Sequence, residues 1–212
     1  MRPAGRGGRA YHGGVTTDEG ARLGEEAARR LARQGRVDIR PGLTDAEFAR
    51  VEEEFGFAFG DDHRAFLAVG LPVGGPSPAR RGQPWPNWRT GSRDDLRARL
   101  AGPVEGVLFD VEHNAFWSPE WGARPDAPTE ALEAARAKLA GVPQMVPVYS
   151  HRYLPAGRGA HGHPVLSMHQ TDVVFYGADL ADYIDHEFNG VPRGDGTPPP
   201  RATVPFWRDL VG

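Results

Sequence analysis

Four histidines come closest, in type and spacing, to a catalytic or metal-binding pattern. His161 and His163 flank a single glycine, and His151 and His169 lie about ten residues away or less on either side. Imidazole is a common zinc ligand, and zinc hydrolases use three protein ligands and a bound water. However, His-Gly-His in a glycine-rich loop is not a known zinc pattern, so we expect a turn and no metal. A histidine-based, metal-dependent hydrolase is the enzymatic alternative.

Two further patterns suggest catalysis only superficially. Asp110 and Glu112 alternate along a predicted strand, so they would share one face like the carboxylate pair of a glycosidase. Nothing in the sequence sets their distance from a third group. Ser118 and Ser167 lack the glycines of a nucleophile elbow. We therefore predict no catalytic residue, no cofactor and no enzymatic activity.

The glycine-rich string at residues 157–162, GRGAHG, matches the spacing of a dinucleotide-binding loop. Such a loop must follow a strand and open a helix, because the helix N-terminus holds the pyrophosphate. Here the string leads into a predicted strand at 163–169. We therefore reject nucleotide binding.

The composition favours one domain that is not anchored in a membrane. A chain of 212 residues with 39% hydrophobic residues can bury one sizeable core. Cysteine is absent, so disulfides and thiolate sites are excluded. No apolar run approaches the roughly 20 residues of a membrane span, and the first residues lack the apolar core of a signal peptide. We expect a cytoplasmic protein without a membrane partner.

Charge is distributed unevenly along the chain. Residues 1–42 contain 9 arginines and 5 acidic residues, a net charge of +4, so residues 43–212 carry −7. An acidic body makes nucleic acid an improbable ligand of the main domain. Asp179, Asp182 and Asp185 lie on a predicted helix at 178–188, which we interpret as a docking surface for a basic partner. Reversing these three charges to lysine is expected to weaken partner capture and leave the fold intact.

Helix signals begin before the main body and continue into it. An amphipathic pattern predicts a helix over 17–34. Thr44 and Glu47 have the spacing of a capping box, and Gly56 is expected to end the helix that follows. Asp61 or Asp62 is expected to cap a second helix, and the two helices are expected to pack as a hairpin.

Residues 104–122, VEGVLFDVEHNAFWSPEWG, form the segment with the clearest functional character. The pattern predicts a short helix at 94–100 and then a strand from about Val104, because Val and Phe are strand formers. The strand would end in a loop that carries Trp117 and Trp121, and such a loop can present a rigid aromatic and acidic contact surface. The candidate protein-binding residues are those of this segment together with the acidic helix: Asp110, Glu112, His113, Trp117, Trp121, Asp179, Asp182 and Asp185.

The remaining elements complete an α+β pattern. A helix is predicted over 129–140, and strands over 145–149, 163–169 and 172–177 should pair antiparallel. Trp85 and Trp88 are expected to anchor a Pro/Gly-rich stretch at 70–91 to the core. Phe206, Trp207 and Leu210 are expected to pack back on the body.

These elements resemble the SUKH superfamily, which includes fungal cell-wall-assembly regulators of the Smi/Knr type and bacterial toxin-immunity proteins. The resemblance covers residues 43–190 and depends on LTDAE at 43–47, DDHRAFL at 61–67 and the segments LFDVEHNAFWSPEWG, VPVYSHRYLP, HPVLSMHQTDVVFYG and DLADYIDHEF. The Pro/Gly-rich stretch at 70–91 departs from the simplest family pattern.

The resemblance implies a single α+β domain with a twisted, mainly antiparallel sheet flanked by helices. It also implies a non-catalytic domain that binds another protein: an immunity protein that occludes a toxin, for example one with a basic cleft, or a regulatory scaffold without a toxin. The expected organisation is a disordered Gly/Arg-rich lead at 1–16, a helix and linker at 17–42, the SUKH-like domain at 43–190 and a Pro-rich tail at 191–212.

Overall fold

The computed structural model describes residues 18–33, 35–74, 84–192 and 204–212. These residues form a single α+β domain, as predicted. The helices are α1 (Asp18–Arg33), α2 (Asp45–Phe55), α3 (Asp61–Val69), α4 (Arg93–His113), α5 (Pro128–Leu139) and α6 (Leu180–Phe188), with short 3₁₀ helices at Pro119–Trp121 and Trp207–Leu210. The strands are β1 (Ile39–Pro41), β2 (Gly70–Pro72), β3 (Met145–Tyr149), β4 (Arg152–Pro155), β5 (Val165–His169) and β6 (Asp172–Gly177). The predicted lead at 1–16 and residues 193–203 of the predicted tail lie outside the described residues.

The strands form two antiparallel sheets. β1 pairs with β2, and β3, β4, β5 and β6 form a four-stranded sheet in that order. Of the three predicted strands, β5 and β6 pair antiparallel as expected. The expected pairing of β3 with β5 is wrong, because β4 lies between them and pairs antiparallel with both. The sequence pattern missed β4, because all four of its residues are buried and show no alternation of apolar and polar types.

The four-stranded sheet separates two hydrophobic clusters. Val146 and Leu154 belong to the first cluster, under α1, α2, α3, α6 and the first half of α4. Met145 and Tyr153 belong to the second cluster, under α5 and the second half of α4. Neighbouring residues of one strand point to opposite faces, so each strand contributes to both clusters. α1 therefore packs into the same core as the segment at 43–190.

The predicted aromatic anchors of the Pro/Gly-rich stretch and of the C-terminal segment are confirmed. Trp85 and Trp88 are fully buried, as is Trp207, whose indole nitrogen donates a hydrogen bond of 2.8 Å to the carbonyl of Pro143. Phe206 and Leu210 pack against the second cluster. Of the described helices, none is long and apolar enough to cross a membrane.

The capping box of α2 is confirmed. The amide of Glu47 donates to the hydroxyl of Thr44 (3.3 Å), and the amide of Thr44 donates to the carboxylate of Glu47 (2.8 Å). Gly56 ends the helix with a positive φ of 73°. Arg89 also donates to the Glu47 carboxylate, and this hydrogen bond is the main reason that the pKa of Glu47 falls to about 2.

The predicted hairpin of α2 and α3 is wrong, because α3 packs mainly against α1. Gly24 of α1 permits this contact: a Cβ there would lie 2.1 Å from the carbonyl oxygen of Asp62. The absence of a side chain therefore allows the two helix backbones to approach closely.

The predicted strand from Val104 is wrong, and residues 93–113 form the single helix α4. Its buried positions recur every three or four residues, at Leu96, Leu100, Pro103, Val107 and Val111. This is the period of a helix, and it outweighs the strand preference of valine and phenylalanine because packing overrides intrinsic preference.

A proline inside α4 is accommodated by side chains of neighbouring elements. Pro103 has no amide to donate to the carbonyl of Arg99. That carbonyl instead accepts a hydrogen bond of 3.1 Å from the hydroxyl of Tyr153, and the carbonyl of Leu100 accepts one of 3.0 Å from the Gln144 side chain. The acceptor that loses its helical amide to the proline is therefore satisfied by a side chain of the sheet.

Candidate functional site

Four aromatic side chains meet where α4 ends and the C-terminal segment returns to the body. We call Phe116, Trp117, Trp121 and Phe206 the aromatic surface. α4 is capped at its C-terminus by Asn114, and the chain then turns through Ala115 with a positive φ of 57°. The amide of Phe116 donates to the carbonyl of Asp110 (3.0 Å). The short helix at Pro119–Trp121 then brings Trp121 back over Phe116.

The rings of the aromatic surface interlock. Trp121 lies edge-to-face with Trp117 at 5.1 Å and with Phe116 at 5.9 Å, and it stacks on Phe206 at 5.9 Å with an interplanar angle of 7°. The indole nitrogen of Trp117 donates a hydrogen bond of 2.8 Å to the carbonyl of Gly122. All four rings are half-buried, so they combine fixed positions with an exposed part.

Phe206 occupies its position at the cost of backbone strain. Its φ of 68° and ψ of −58° place it at the centre of a tight turn, in which the amide of Trp207 donates to the carbonyl of Pro205 (2.9 Å). This conformation is rare and strained for a residue with a side chain. Sequence reasoning placed Phe206 on the body but did not join it to Trp121, since 85 residues separate them.

Two predicted binding residues lie beside the aromatic surface on the last turn of α4. Glu112 and His113 are exposed, and the imidazole of His113 stacks on Phe109 at 4.2 Å. Phe109 is itself 45% exposed. Sequence reasoning treated Phe109 as part of a strand and did not propose it for the surface.

Asp110, also a predicted binding residue, is buried with 4% exposure. Its carboxylate accepts hydrogen bonds from the hydroxyl of Thr171 (2.6 Å), the amide of Thr171 (2.9 Å) and the side chain of Asn114 (2.6 Å). Burial raises the pKa of this carboxyl, but the hydrogen bonds from Thr171 and Asn114 outweigh it, and the net pKa is lowered. Asp110 thus ties α4 to the β5–β6 turn. Asp110 and Glu112 do not share a face, because they lie on a helix.

The predicted acidic docking residues lie elsewhere. Asp110 contacts Thr171 at one end of β6, and Asp182 contacts Ala178 at the other end. Six strand residues span roughly 20 Å. The structure therefore separates the eight predicted residues into two regions.

All three aspartates of α6 have partners within the chain. Asp179 caps the helix by accepting from the amide of Asp182 (2.8 Å), and the Asp182 carboxylate accepts from the amide of Ala178 (2.8 Å). Asp185 forms an ion pair of 2.6 Å with Arg30 of α1. Reversing all three charges would remove the helix cap and the ion pair with Arg30, so we expect it to destabilise the fold and not to leave it intact.

The four histidines of the metal hypothesis are distributed along two strand connections and the end of β5. Among the residues that the structure describes, no group of three or more His, Asp or Glu side chains is placed to hold a metal ion. The Nδ1 of His161 donates to the carbonyl of Gly159 (2.9 Å), and its Nε2 lies 3.6 Å from the carboxylate of Glu19. His151 contacts the hydroxyl of Ser150 at 3.2 Å.

A buried polar cluster at the start of α3 was missed by sequence reasoning. Gly60, not an aspartate, is the N-cap of α3. Asp61 accepts from the amide of Gly159 (3.1 Å), and Asp62 accepts from the amide of Gly162 (2.8 Å). The glycine-rich string at 157–162, which does lead into β5, is therefore bound by two buried carboxylates.

Burial shifts the pKa values of Asp62 and His63 in this cluster. Burial raises the pKa of Asp62 to about 6 despite the amide donors of Gly162 and His63. Burial also lowers the pKa of His63, which is 1% exposed, to about 3. The cluster is closed to solvent, so we interpret it as part of the fold.

No family model, curated protein or solved structure matches the chain.

Proposed function

We propose that this protein is a non-catalytic binding domain that captures another protein on the aromatic surface. The observation that carries the proposal is the rigid set of half-exposed rings at Phe116, Trp117, Trp121 and Phe206. Tryptophan is enriched among the residues that dominate binding energy at protein interfaces. Rings that are already fixed lose little conformational entropy on binding.

Acidic side chains beside these rings favour a basic partner. Glu112 and Glu120 are exposed in the same segment, and residues 43–212 carry a net charge of −7. Complementary charge accelerates association and disfavours wrong partners.

In its specific form, the proposal is that the protein acts in the cytoplasm as an immunity protein that neutralises a toxin by occluding a basic cleft. The resemblance to the SUKH superfamily and the acidic body support this form. A regulatory scaffold of the same superfamily would use the surface in the same way, but its partner would not be a toxin.

The test is capture from a lysate of the native host with the full chain as bait. Trp121→Ala should lower the retention of the specific partner at least tenfold. Phe57→Ala is the matched control, because Phe57 is also a half-buried aromatic residue but packs against Phe59 and Trp88 in the first cluster. Equal retention of the partner by the two variants would show that the aromatic surface is not part of the interface.

The identity of the captured protein tests the specific form. Purified partner should lose its toxic activity on titration with the wild-type chain and keep it with Trp121→Ala. A partner without toxic activity would contradict the immunity proposal and leave the binding proposal standing.

A further inference from the structure

A cavity of about 310 Å³ opens beside the aromatic surface, between the loop that follows α4 and the C-terminal segment. Its apolar walls are Phe116, Phe206 and Leu210, and its polar groups are Ser118, Glu120 and Asp209. The walls come from segments about 90 residues apart in sequence, so only the folded C-terminal segment creates the cavity.

The charged groups of this cavity are acidic. Glu120 is exposed, and Asp209 is about half-exposed and forms an ion pair of 3.1 Å with Arg208. An ion pair this exposed contributes little to the stability of the fold. Within the described part of the chain, the residues that line the cavity include no arginine or lysine.

Apolar rings and carboxylates at one cavity suit an amphipathic cation. The methylene stem of a basic side chain can pack on phenylalanine rings while its charged end stays near solvent and carboxylates. A guanidinium also stacks on aromatic faces and forms paired hydrogen bonds with a carboxylate.

We propose that this cavity receives one arginine side chain of the protein partner, with its stem against Phe116 and Phe206 and its guanidinium between Glu120 and Asp209. This inference depends on the proposed function, because the arginine belongs to the captured protein. The arginine would act as the anchor of the interface, filling a pocket next to the stacked rings of Trp121 and Phe206.

The test uses N-acetyl-arginine methylamide as the probe and the full ¹⁵N-labelled chain in two-dimensional NMR. N-acetyl-citrulline methylamide is the matched neutral probe, since it differs mainly in charge. The arginine probe should produce saturable chemical-shift changes at the backbone amides of the non-proline residues in 116–120 and 206–210 and at the Trp121 indole. Citrulline should bind at least threefold more weakly.

A double variant, Glu120→Gln with Asp209→Asn, should lower arginine affinity at least threefold. Glu105→Gln is the control, because Glu105 is an exposed carboxylate that lines a different cavity, of about 360 Å³, between α4 and α5. Equal binding of the two probes, or unchanged affinity in the double variant, would overturn the proposal.

The partner assay separates this inference from the proposed function. Loss of capture in Trp121→Ala with full capture in the Glu120→Gln, Asp209→Asn variant would retain the aromatic surface and overturn the arginine pocket. Full capture by Trp121→Ala would overturn the proposed function itself.

Discussion

The hydroxyl of Tyr153 in β4 donates a hydrogen bond of 3.1 Å to the carbonyl of Arg99, the acceptor that Pro103 leaves without its helical amide. Burial raises the pKa of Tyr153 to about 12, so this hydroxyl stays protonated well above neutral pH. A side chain of the sheet thus stabilises the interrupted part of α4.

Tyr153→Phe should lower the free energy of unfolding by about 1 kcal/mol, because it removes the hydrogen bond from a buried side chain to the carbonyl of Arg99. In a Pro103→Ala background the new alanine amide can donate to Arg99, so the same substitution should cost less. Urea denaturation of the four proteins of this double-mutant cycle measures the difference. Strictly additive effects would show that the two residues do not share this acceptor.

As pH changes, the buried residues Asp62 and His63 should change the stability of the fold in opposite directions. The folded pKa of Asp62, about 6, lies above its ordinary value of 3.8, so its contribution is fully present below pH 3.8 and is lost as pH rises through 6. The folded pKa of His63, about 3, lies below its ordinary 6.5, so its contribution is present above pH 6.5 and is lost as pH falls towards 3.

Variants at the two positions separate these contributions. Between pH 6.5 and 4, Asp62→Asn should lose stability relative to wild type as pH falls, whereas His63→Leu should gain it. Denaturation midpoints measured across this range test the signs. A difference from wild type that does not change with pH would contradict the assignment for that residue.

Asp110 should matter for stability, in contrast to its neighbour Glu112. Asp110→Ala leaves the amide and hydroxyl of Thr171 without their acceptor, and we expect a loss of about 2–3 kcal/mol. Glu112→Ala changes an exposed side chain and should stay within about 0.5 kcal/mol of wild type. Thermal unfolding of both variants provides the comparison, and equal melting temperatures would exclude the proposed role of Asp110.

Charge changes on α6 should weaken its attachment to α1. Asp179→Ala removes a helix cap and should cost about 1 kcal/mol. Asp185→Lys replaces the partner of Arg30 with a like charge, so its cost should shrink as salt is added. Unfolding in low and high salt measures this, and a cost independent of salt would point to packing instead of charge. Asp179→Ala, which removes the helix cap, is the control, and its loss of unfolding free energy should depend less on salt.

Much of the fold follows from local patterns. Thr44, Glu47 and Gly56 define α2 through hydrogen bonds within a few residues, and the amphipathic periods of α1, α5 and α6 agree with the structure. The strands β5 and β6 lie close in sequence, so their antiparallel pairing was predictable. The two tryptophans of the site, Trp117 and Trp121, were also found from the sequence.

Local sequence patterns gave wrong predictions where contacts between distant residues determine the secondary structure. The sequence of 104–111 carries both strand-forming residue types and a helical period, and only the contacts of Pro103, Gly106 and their neighbours select the helix. Gly106 approaches the β5–β6 turn so closely that a Cβ would lie 2.9 Å from the Cα of Gln170. Contacts of this kind join residues more than 40 positions apart, which no short window of sequence records.

By itself, the sequence determined the α+β class, most helices, the antiparallel pair of β5 and β6 and the presence of an aromatic segment. Only the tertiary structure decided that Asp110 is buried, that Asp61 and Asp62 bind a glycine-rich loop, and that Phe206 completes the aromatic surface. The physical reason is that hydrogen bonds within a turn or cap depend on neighbours in sequence, whereas burial and ring stacking depend on which distant segments share one core.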